Sequence, residues 1–418
     1  MTMSGTSLNL YITGMNCIRC GTSHPIADYF EGCPACLAEG FPVSVAPHYE
    51  KVPHTYDRDH PEAWLAYPGG PFLGEGRTPL VALPKLAEEI GIRALFAKNE
   101  SANPTGSHKD RMSALFVRRA KEIGATTVSA ASSGNAGVSL AAYAARAGLR
   151  CVVVTTPKMS GNWRRAVEMH GAELIATATP EERWELIRRK AVAGEWYPAT
   201  NYLTPPVGSN PFGVDGYRAI ALELYGQCDA DARPTDIIVP TARGDILWGI
   251  ARGYLDLKKA GLVPTVPKVH AVEPFPRIAR VFDGADLRGD FPGESKMASI
   301  GGSTVTYQAL EALRLTGGRI ATVDEAAVIS DQRKLAQAGL YAELSSVAAL
   351  SGVRRLVRQR TVSSEAHVVL VVTAHGYKED APYDHPLPIV SVEGGHSITR
   401  SRHGERAKLT DLTAYTHY

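Results

Sequence analysis

A chain of 418 residues exceeds what one simple core organises, so about two or three domains are expected, with ample apolar content to bury. Lys and Arg total 45 against 43 Asp and Glu, a net charge of +2, and no basic stripe points to nucleic acid or a membrane surface. No apolar run approaches the ~20 residues that span a bilayer. The N-terminal stretch MTMSGTSLNLYITGM lacks a basic segment followed by a long apolar core, so the expectation is a soluble, cytoplasmic protein.

Four of the six cysteines lie close together, as Cys17-x2-Cys20 and Cys33-x2-Cys36, each pair in a Gly- or Pro-bearing turn. Two such knuckles present four thiolates tetrahedrally, the arrangement of structural zinc with no open coordination position. Two disulfides are the competing arrangement, but nothing else in the chain points to an oxidising compartment. Cys151 and Cys228 sit in apolar surroundings and read as core residues.

After a stretch rich in Pro, Gly, His and aromatics that ends in LGEGRTPL (Leu73 to Leu80), helical and strand patterns alternate. A helix is predicted from Asp110 to Ile123, a short strand from Thr126 to Ala130, and a small-residue helix from Val138 to Ala147 closed by Gly148. A β-branched strand follows at Cys151–Thr155, then helix Trp163–His170, strand Glu173–Thr177 and helix Pro180–Ala193. Further apolar strands are predicted at Asp236–Pro240, Lys268–Val272 and His367–Thr373. Such alternation implies parallel sheets covered on both faces. Past about residue 380 the pattern fades into a polar tail of mixed charge.

Four segments carry the chemistry. In KNESANPTGSHKDR (Lys98 to Arg111), Lys109 follows a Pro-Gly loop and stands at a helix start, where the positive end of the helix dipole disfavours its protonated form. That placement suits an amine that forms an imine with an aldehyde cofactor. Ser132-Ser133-Gly134-Asn135-Ala136-Gly137 lies between a strand and a helix, where backbone amides and small polar side chains can hold an anion. Thr241-Ala242-Arg243-Gly244-Asp245 is a second strand-to-helix loop, fit to rest a phosphate on its amides with Arg243 adding a charged contact. The strand LVVTAHG ends on Thr373, a neutral hydroxyl suited to an unprotonated pyridine nitrogen, while His375 reads as loop-stabilising.

Together with SNPFGVDGYRAIALEL, these segments make the chain resemble the threonine synthases, of the fold type II (tryptophan synthase beta-like) pyridoxal-phosphate enzymes. The resemblance runs from the cysteine knuckles to about His375. It implies that Lys109 binds the cofactor's aldehyde and shuttles the substrate α-proton, that Asn135 hydrogen-bonds the phenolic oxygen, that Thr241, Ala242, Arg243, Gly244 and Asp245 cradle the phosphate, and that Thr373 faces the ring nitrogen. It assigns Thr105, Ser132, Ser133, Gly134 and Asn210 to the substrate, an amino acid. The implied reaction is loss of phosphate from O-phosphohomoserine and addition of water to give threonine. A homodimer is implied as well.

The chain departs from the family pattern in four places. His108 stands where phenylalanine is usual, TARGD holds a single glycine, Gly213 takes the place of a typical arginine, and Thr179 to Leu186 reads TPEERWEL where the family supplies Asn and Arg to the substrate phosphate. Arg164, Arg165, Arg183 and Arg218 are the cations available to compensate. The alternative is therefore a threonine-synthase-like enzyme performing β-elimination or β-replacement on another amino acid. The expected architecture is a zinc-ribbon-like module over 1–45, a large α/β domain from 46–105 and 205–390, a small α/β domain over 106–204, and a tail over 391–418. Both α/β domains are expected to be three-layered, with the cofactor in the cleft between them.

Overall fold

The computed structural model describes residues 7–379 and the backbone of three short strands, Ile389–Glu393, His396–Arg400 and Arg406–Lys408. The chain divides into two compact units, Met1–Glu379 and Asp380–Tyr418. The three short strands pair antiparallel within the second unit, where the sequence pattern suggests only a polar tail.

The first unit contains three sheets. Six strands line up in the order Ile320–Thr322, Lys268–Glu273, Asp236–Pro240, His367–Val372, Ala94–Asn99 and Leu80–Ala82, all parallel except the last. Their side chains alternate between two cores. Ile237, Val239, Val369 and Val371 enter one, while Ile238, Val368, Leu370 and Val372 enter the other. A strand buried on both faces needs apolar residues at every position, which explains the unbroken runs DIIVP and HVVLVV. Leu344–Arg358 packs on the central strands.

A second sheet is wholly parallel and runs Glu173–Ala176, Arg150–Thr155, Thr127–Ala131, Tyr197–Pro198. The cysteine segment forms a small antiparallel sheet of Ser23–His24, Ile12–Cys17 and Val45–Tyr49. Among the described residues, no helix is long and apolar enough to cross a membrane.

Two helices start earlier than the sequence pattern predicts. The small-residue helix is Asn135–Ala147, three residues longer at its start, because the Ser132 hydroxyl accepts from the Gly134 and Gly137 amides at 3.2 and 2.9 Å. Lys109 is the first residue of its helix, Lys109–Glu122. Two residues on, the buried Arg111 guanidinium contacts Glu100 at 2.6 and 2.7 Å and Glu223 at 2.6 and 2.9 Å. Lys98 also donates to Glu223, at 2.6 Å. Removing the guanidinium leaves two buried carboxylates short of a partner, so Arg111→Met is expected to lower unfolding stability by ~3–5 kcal/mol in a denaturant titration. A loss below about 1 kcal/mol would mean that the network does not anchor the helix.

Candidate active site

Because neighbouring strands run parallel, their carboxyl ends share one edge, and Pro240, Val372 and Asn99 there lead into Thr241–Asp245, Thr373 and the loop before Lys109. A tight set of bonds joins the last two. The His108 amide donates to the Thr373 carbonyl at 2.9 Å, and the ring Nδ1 lies 3.1 Å from the same oxygen. A carbonyl only accepts, so Nδ1 carries the proton. Burial, with the charge of Lys109 beside it, holds His108 well below the ordinary histidine value and keeps the ring neutral.

The Lys109 amine forms no ion pair among the described residues, and its hydrogen-bond partner is the Tyr217 hydroxyl at 3.3 Å. Part of the side chain is exposed, but the surrounding protein desolvates the amine. Burial pushes it below the ordinary lysine value, opposed by Asp245 and Glu343 and reinforced by Arg243. A larger neutral fraction is what a nucleophilic amine needs.

Around it lie three further sets of groups. The amides of Ala242, Arg243 and Gly244 have no acceptor among the described residues, and they lead into helix Asp245–Lys259. Gly244 has φ +118°, and a Cβ there would sit 2.6 Å from the Ala309 amide nitrogen, so only glycine lets the loop lie this close. Arg277 holds the Thr241 carbonyl at 2.6 Å and the Thr306 hydroxyl holds that of Arg243 at 2.7 Å, leaving the amides turned outward. The Thr241 hydroxyl is taken by the Val239 carbonyl at 2.7 Å, and Asp245 receives the Ser209 hydroxyl at 2.6 Å.

At the neighbouring strand end, Thr373 Oγ1 lies 2.7 Å from Ser346 Oγ. The Asn135 amide nitrogen donates to Glu343 at 2.9 Å, and its oxygen accepts from Lys378 at 2.8 Å. Pyridoxal phosphate requires an amine for its aldehyde, amides for its phosphate, a donor at its phenolic oxygen and a partner for its ring nitrogen. Lys109, the loop amides and Thr373 fit three of these requirements, and Asn135 lies beside them with its amide nitrogen engaged by Glu343 and, at 3.4 Å, by Ser299.

On the side of the smaller parallel sheet, Arg183 donates to the Ser133 hydroxyl at 3.3 Å, and that hydroxyl also receives Thr155 at 2.9 Å. Its Nε is buried without a partner, and burial together with the charge of Arg243 pushes Arg183 down to about 10. Arg243 bonds the Thr304 hydroxyl at 3.0 Å and stands 5.4 Å from the Trp184 ring centre. Neither arginine has a carboxylate partner among the described residues. Trp163, with an unpartnered Nε1, packs beside Gly134.

Not every residue singled out in the sequence joins this group. Asn210 caps helix Pro211–Asp215, accepting from the Phe212 and Gly213 amides at 3.1 Å and donating to Tyr197 at 3.0 Å. Thr105 is bound through its amide and hydroxyl to Asp110 at 2.6 and 2.5 Å. Arg218 is buried against Asp215 and Asp256, Arg164 pairs with Glu168, and Arg165 is exposed. Tyr217, Glu343, Ser346 and Lys378 escape the sequence reading. Tyr217 and Lys378 lie in or just beyond segments that carry the resemblance, and that adjacency is the only signal they give.

In the cysteine segment, Sγ atoms of Cys17 and Cys36 are 3.6 Å apart and those of Cys20 and Cys33 are 3.8 Å apart; all four cysteines are unbridged and their sulfurs lie within 4.8 Å of one another. Four thiolates around one zinc ion at about 2.3 Å would be about 3.8 Å apart, so the cluster has the size of a four-cysteine zinc site. His24 Nε2 is 3.3 Å from the Cys33 sulfur.

Comparison with known proteins agrees with this geometry. The family model described as pyridoxal-phosphate dependent enzyme matches residues 71–374. The threonine synthase of Methanosarcina acetivorans is 28% identical over 383 residues, covering 87% of this chain and 92% of its own. That of Halalkalibacterium halodurans is 33% identical over 318 residues, covering 73% and 84%. Among solved structures, a pyridoxal 5'-phosphate-dependent aspartate racemase superposes with a TM-score of 0.61 at 22% identity, over 72% of this chain and 90% of that one. The chain is thus a pyridoxal-phosphate-dependent lyase that belongs to the fold type II family and, within it, groups with the threonine synthases.

Proposed function

We propose that the enzyme releases phosphate from O-phosphohomoserine and adds water to give threonine. The observation that carries this reading is the pair Arg183 and Arg243, two desolvated cations that repel each other, Arg183 on the Ser133 hydroxyl, neither in an ion pair among the described residues and only partly offset by Glu181 and Asp245. A dianionic leaving group would relieve that repulsion, each charge-assisted hydrogen bond contributing ~1.5–3 kcal/mol. The threonine synthase relatives support the same choice.

When bound, pyridoxal phosphate supplies a conjugated electron sink for the charge left at the substrate's Cα. The chain's own residues do the rest. Lys109, held partly neutral by burial, fixes the aldehyde and takes the α-proton. The amides of Ala242 to Gly244 at the helix start hold the cofactor phosphate, with Thr241 and Asp245 shaping the loop. Asn135, held by Glu343 and Lys378, would supply the donor to the phenolic oxygen by giving up one of its present partners. Thr373, braced by Ser346, would give the ring nitrogen a neutral partner, which leaves the ring a weaker sink and disfavours racemisation; the phosphate on Cγ departs only after a Cβ proton is removed as well. Ser133 and Gly134 hold the substrate carboxylate, with Ser132 shaping their loop. Membership of the two sheets supports a large domain from 46–105 and from 205 to the strand His367–Val372, with a small one over 106–204; of the expected 205–390 span, residues 380–388 lie outside the described residues and the strand Ile389–Glu393 belongs to the second unit.

Arg183→Gln is expected to lower kcat/KM for O-phosphohomoserine by roughly 10–100-fold, mostly through KM, with the cofactor absorbance unchanged. Phosphate release and threonine formation are the assays. Wild-type enzyme that yields neither, yet eliminates ammonia from serine, would transfer the reading to β-elimination on an unphosphorylated amino acid.

For Cys17, Cys20, Cys33 and Cys36 the reading is a structural zinc site. Elemental analysis should find about one zinc per chain, and Cys33→Ser should lose it and lower the melting temperature. Metal-free protein of full stability would refute the assignment.

A further inference from the structure

Tyr217 is fully buried between helix Pro211–Asp215 and helix Arg218–Gln227, and its position is set by main chain on two sides. A Cβ on the preceding Gly216 would lie 2.1 Å from the Arg111 carbonyl oxygen, and one on Gly249 would lie 2.3 Å from the Tyr217 Cβ. The residue is therefore wedged between the Lys109 helix and helix Asp245–Lys259. Its ring lies 5.5 Å from that of His108, centre to centre, at an interplanar angle of 36°, and the Lys109 amine stands 5.6 Å from the ring centre. Its hydroxyl is 3.3 Å from Lys109 Nζ and 3.5 Å from Met112 Sδ. Among the described residues no carboxylate or second base touches that hydroxyl, and burial holds the phenol well above its ordinary value, so it stays neutral.

We propose that Tyr217 is a catalytic residue whose hydroxyl oxygen accepts a hydrogen bond from Lys109 whenever this amine is not joined to the cofactor, aiming its lone pair at the substrate's Cα proton. The proton balance is simple. The Cα–H bond breaks, an N–H bond forms on Lys109, and the electron pair left at Cα passes into the cofactor ring. Lys109 donates to the same phenol oxygen before and after the transfer, while the phenol proton remains directed at the Met112 sulfur. Tyr217 neither gains nor loses a proton, so its part is to orient the amine and to solvate the ammonium that forms. A lysine in a pocket that offered no such acceptor would have to aim itself against free rotation of its four-carbon chain.

This inference rests on Lys109 as the proton-carrying amine, which belongs to the reading above, and not on the identity of the substrate. Tyr217→Phe keeps the ring contacts with His108 and Lys109 and deletes only the oxygen. Two rates are measured: capture of pyridoxal phosphate by the cofactor-free full-length chain, followed by absorbance, and wash-in of solvent deuterium at Cα of O-phosphohomoserine and of threonine, followed by NMR. Both are expected to fall about three- to tenfold, the worth of one hydrogen bond, with KM changed less than about twofold. Capture and exchange both within about twofold of wild type would overturn the proposal. If wild-type enzyme does not act on O-phosphohomoserine, the substrate reading fails, while the capture rate still decides the role of Tyr217.

Discussion

Two carboxylates and two cations buried together, Glu100 and Glu223 with Lys98 and Arg111, hold the rest of the arrangement in place. Lys98 belongs to the strand Ala94–Asn99, next to the edge of the large sheet, Glu223 to helix Arg218–Gln227, and Arg111 to the helix that Lys109 opens. The Thr78 hydroxyl and carbonyl close the circuit, with Arg111 at 3.1 Å and Lys98 at 2.8 Å. Such a network contributes little net stability over an apolar core, but it allows only one register between the three elements. That register puts the reactive amine at the carboxyl edge of the sheet and places Tyr217 under it.

A second theme is the excess of positive charge around Lys109. Lys109, Arg183, Arg243 and Lys378 converge there against Glu343 and Asp245, and burial lowers the affinity of all four cations for their protons. A cofactor phosphate and a second anion would restore the balance. The TARGD loop itself carries charges of both signs, so Arg243 offsets the cost of placing Asp245 beside a phosphate. A racemase of the same fold shows that the scaffold alone does not select the reaction; the groups at the substrate's distal end must do so.

What the sequence made legible follows from the range of the interactions involved. Lys109, the Ser132–Gly137 loop, the TARGD loop and Thr373 all sit at strand-to-helix junctions or strand ends, which apolar periodicity locates. Arg183 is different: its helix, Pro180–Val192, carries salt-linked arginines at 188 and 189 on an exposed face, and nothing in the local pattern separates 183 from these. Only the fold turns it toward Ser133. Glu343 and Lys378 meet at Asn135 across more than two hundred residues, a pairing no window can see. Asn210 and Thr105 show how polar side chains near a site can be engaged locally, Asn210 by capping a helix and Thr105 by bonding Asp110.

The cysteine segment reads as a detachable accessory, yet its bonds reach all three working elements. Tyr49 donates to Asp215 at 2.7 Å, two residues before Tyr217 in the chain. Asp28 holds Arg119 of the Lys109 helix at 3.0 Å and Tyr197 of the smaller sheet at 2.7 Å. Ancestry and modularity thus part company here. A lineage that shed these first residues would leave Arg119 and Asp215 each facing a missing partner, and would have to invent replacements at several sites at once. The segment thus works as a keystone does, since its neighbours are cut to its shape.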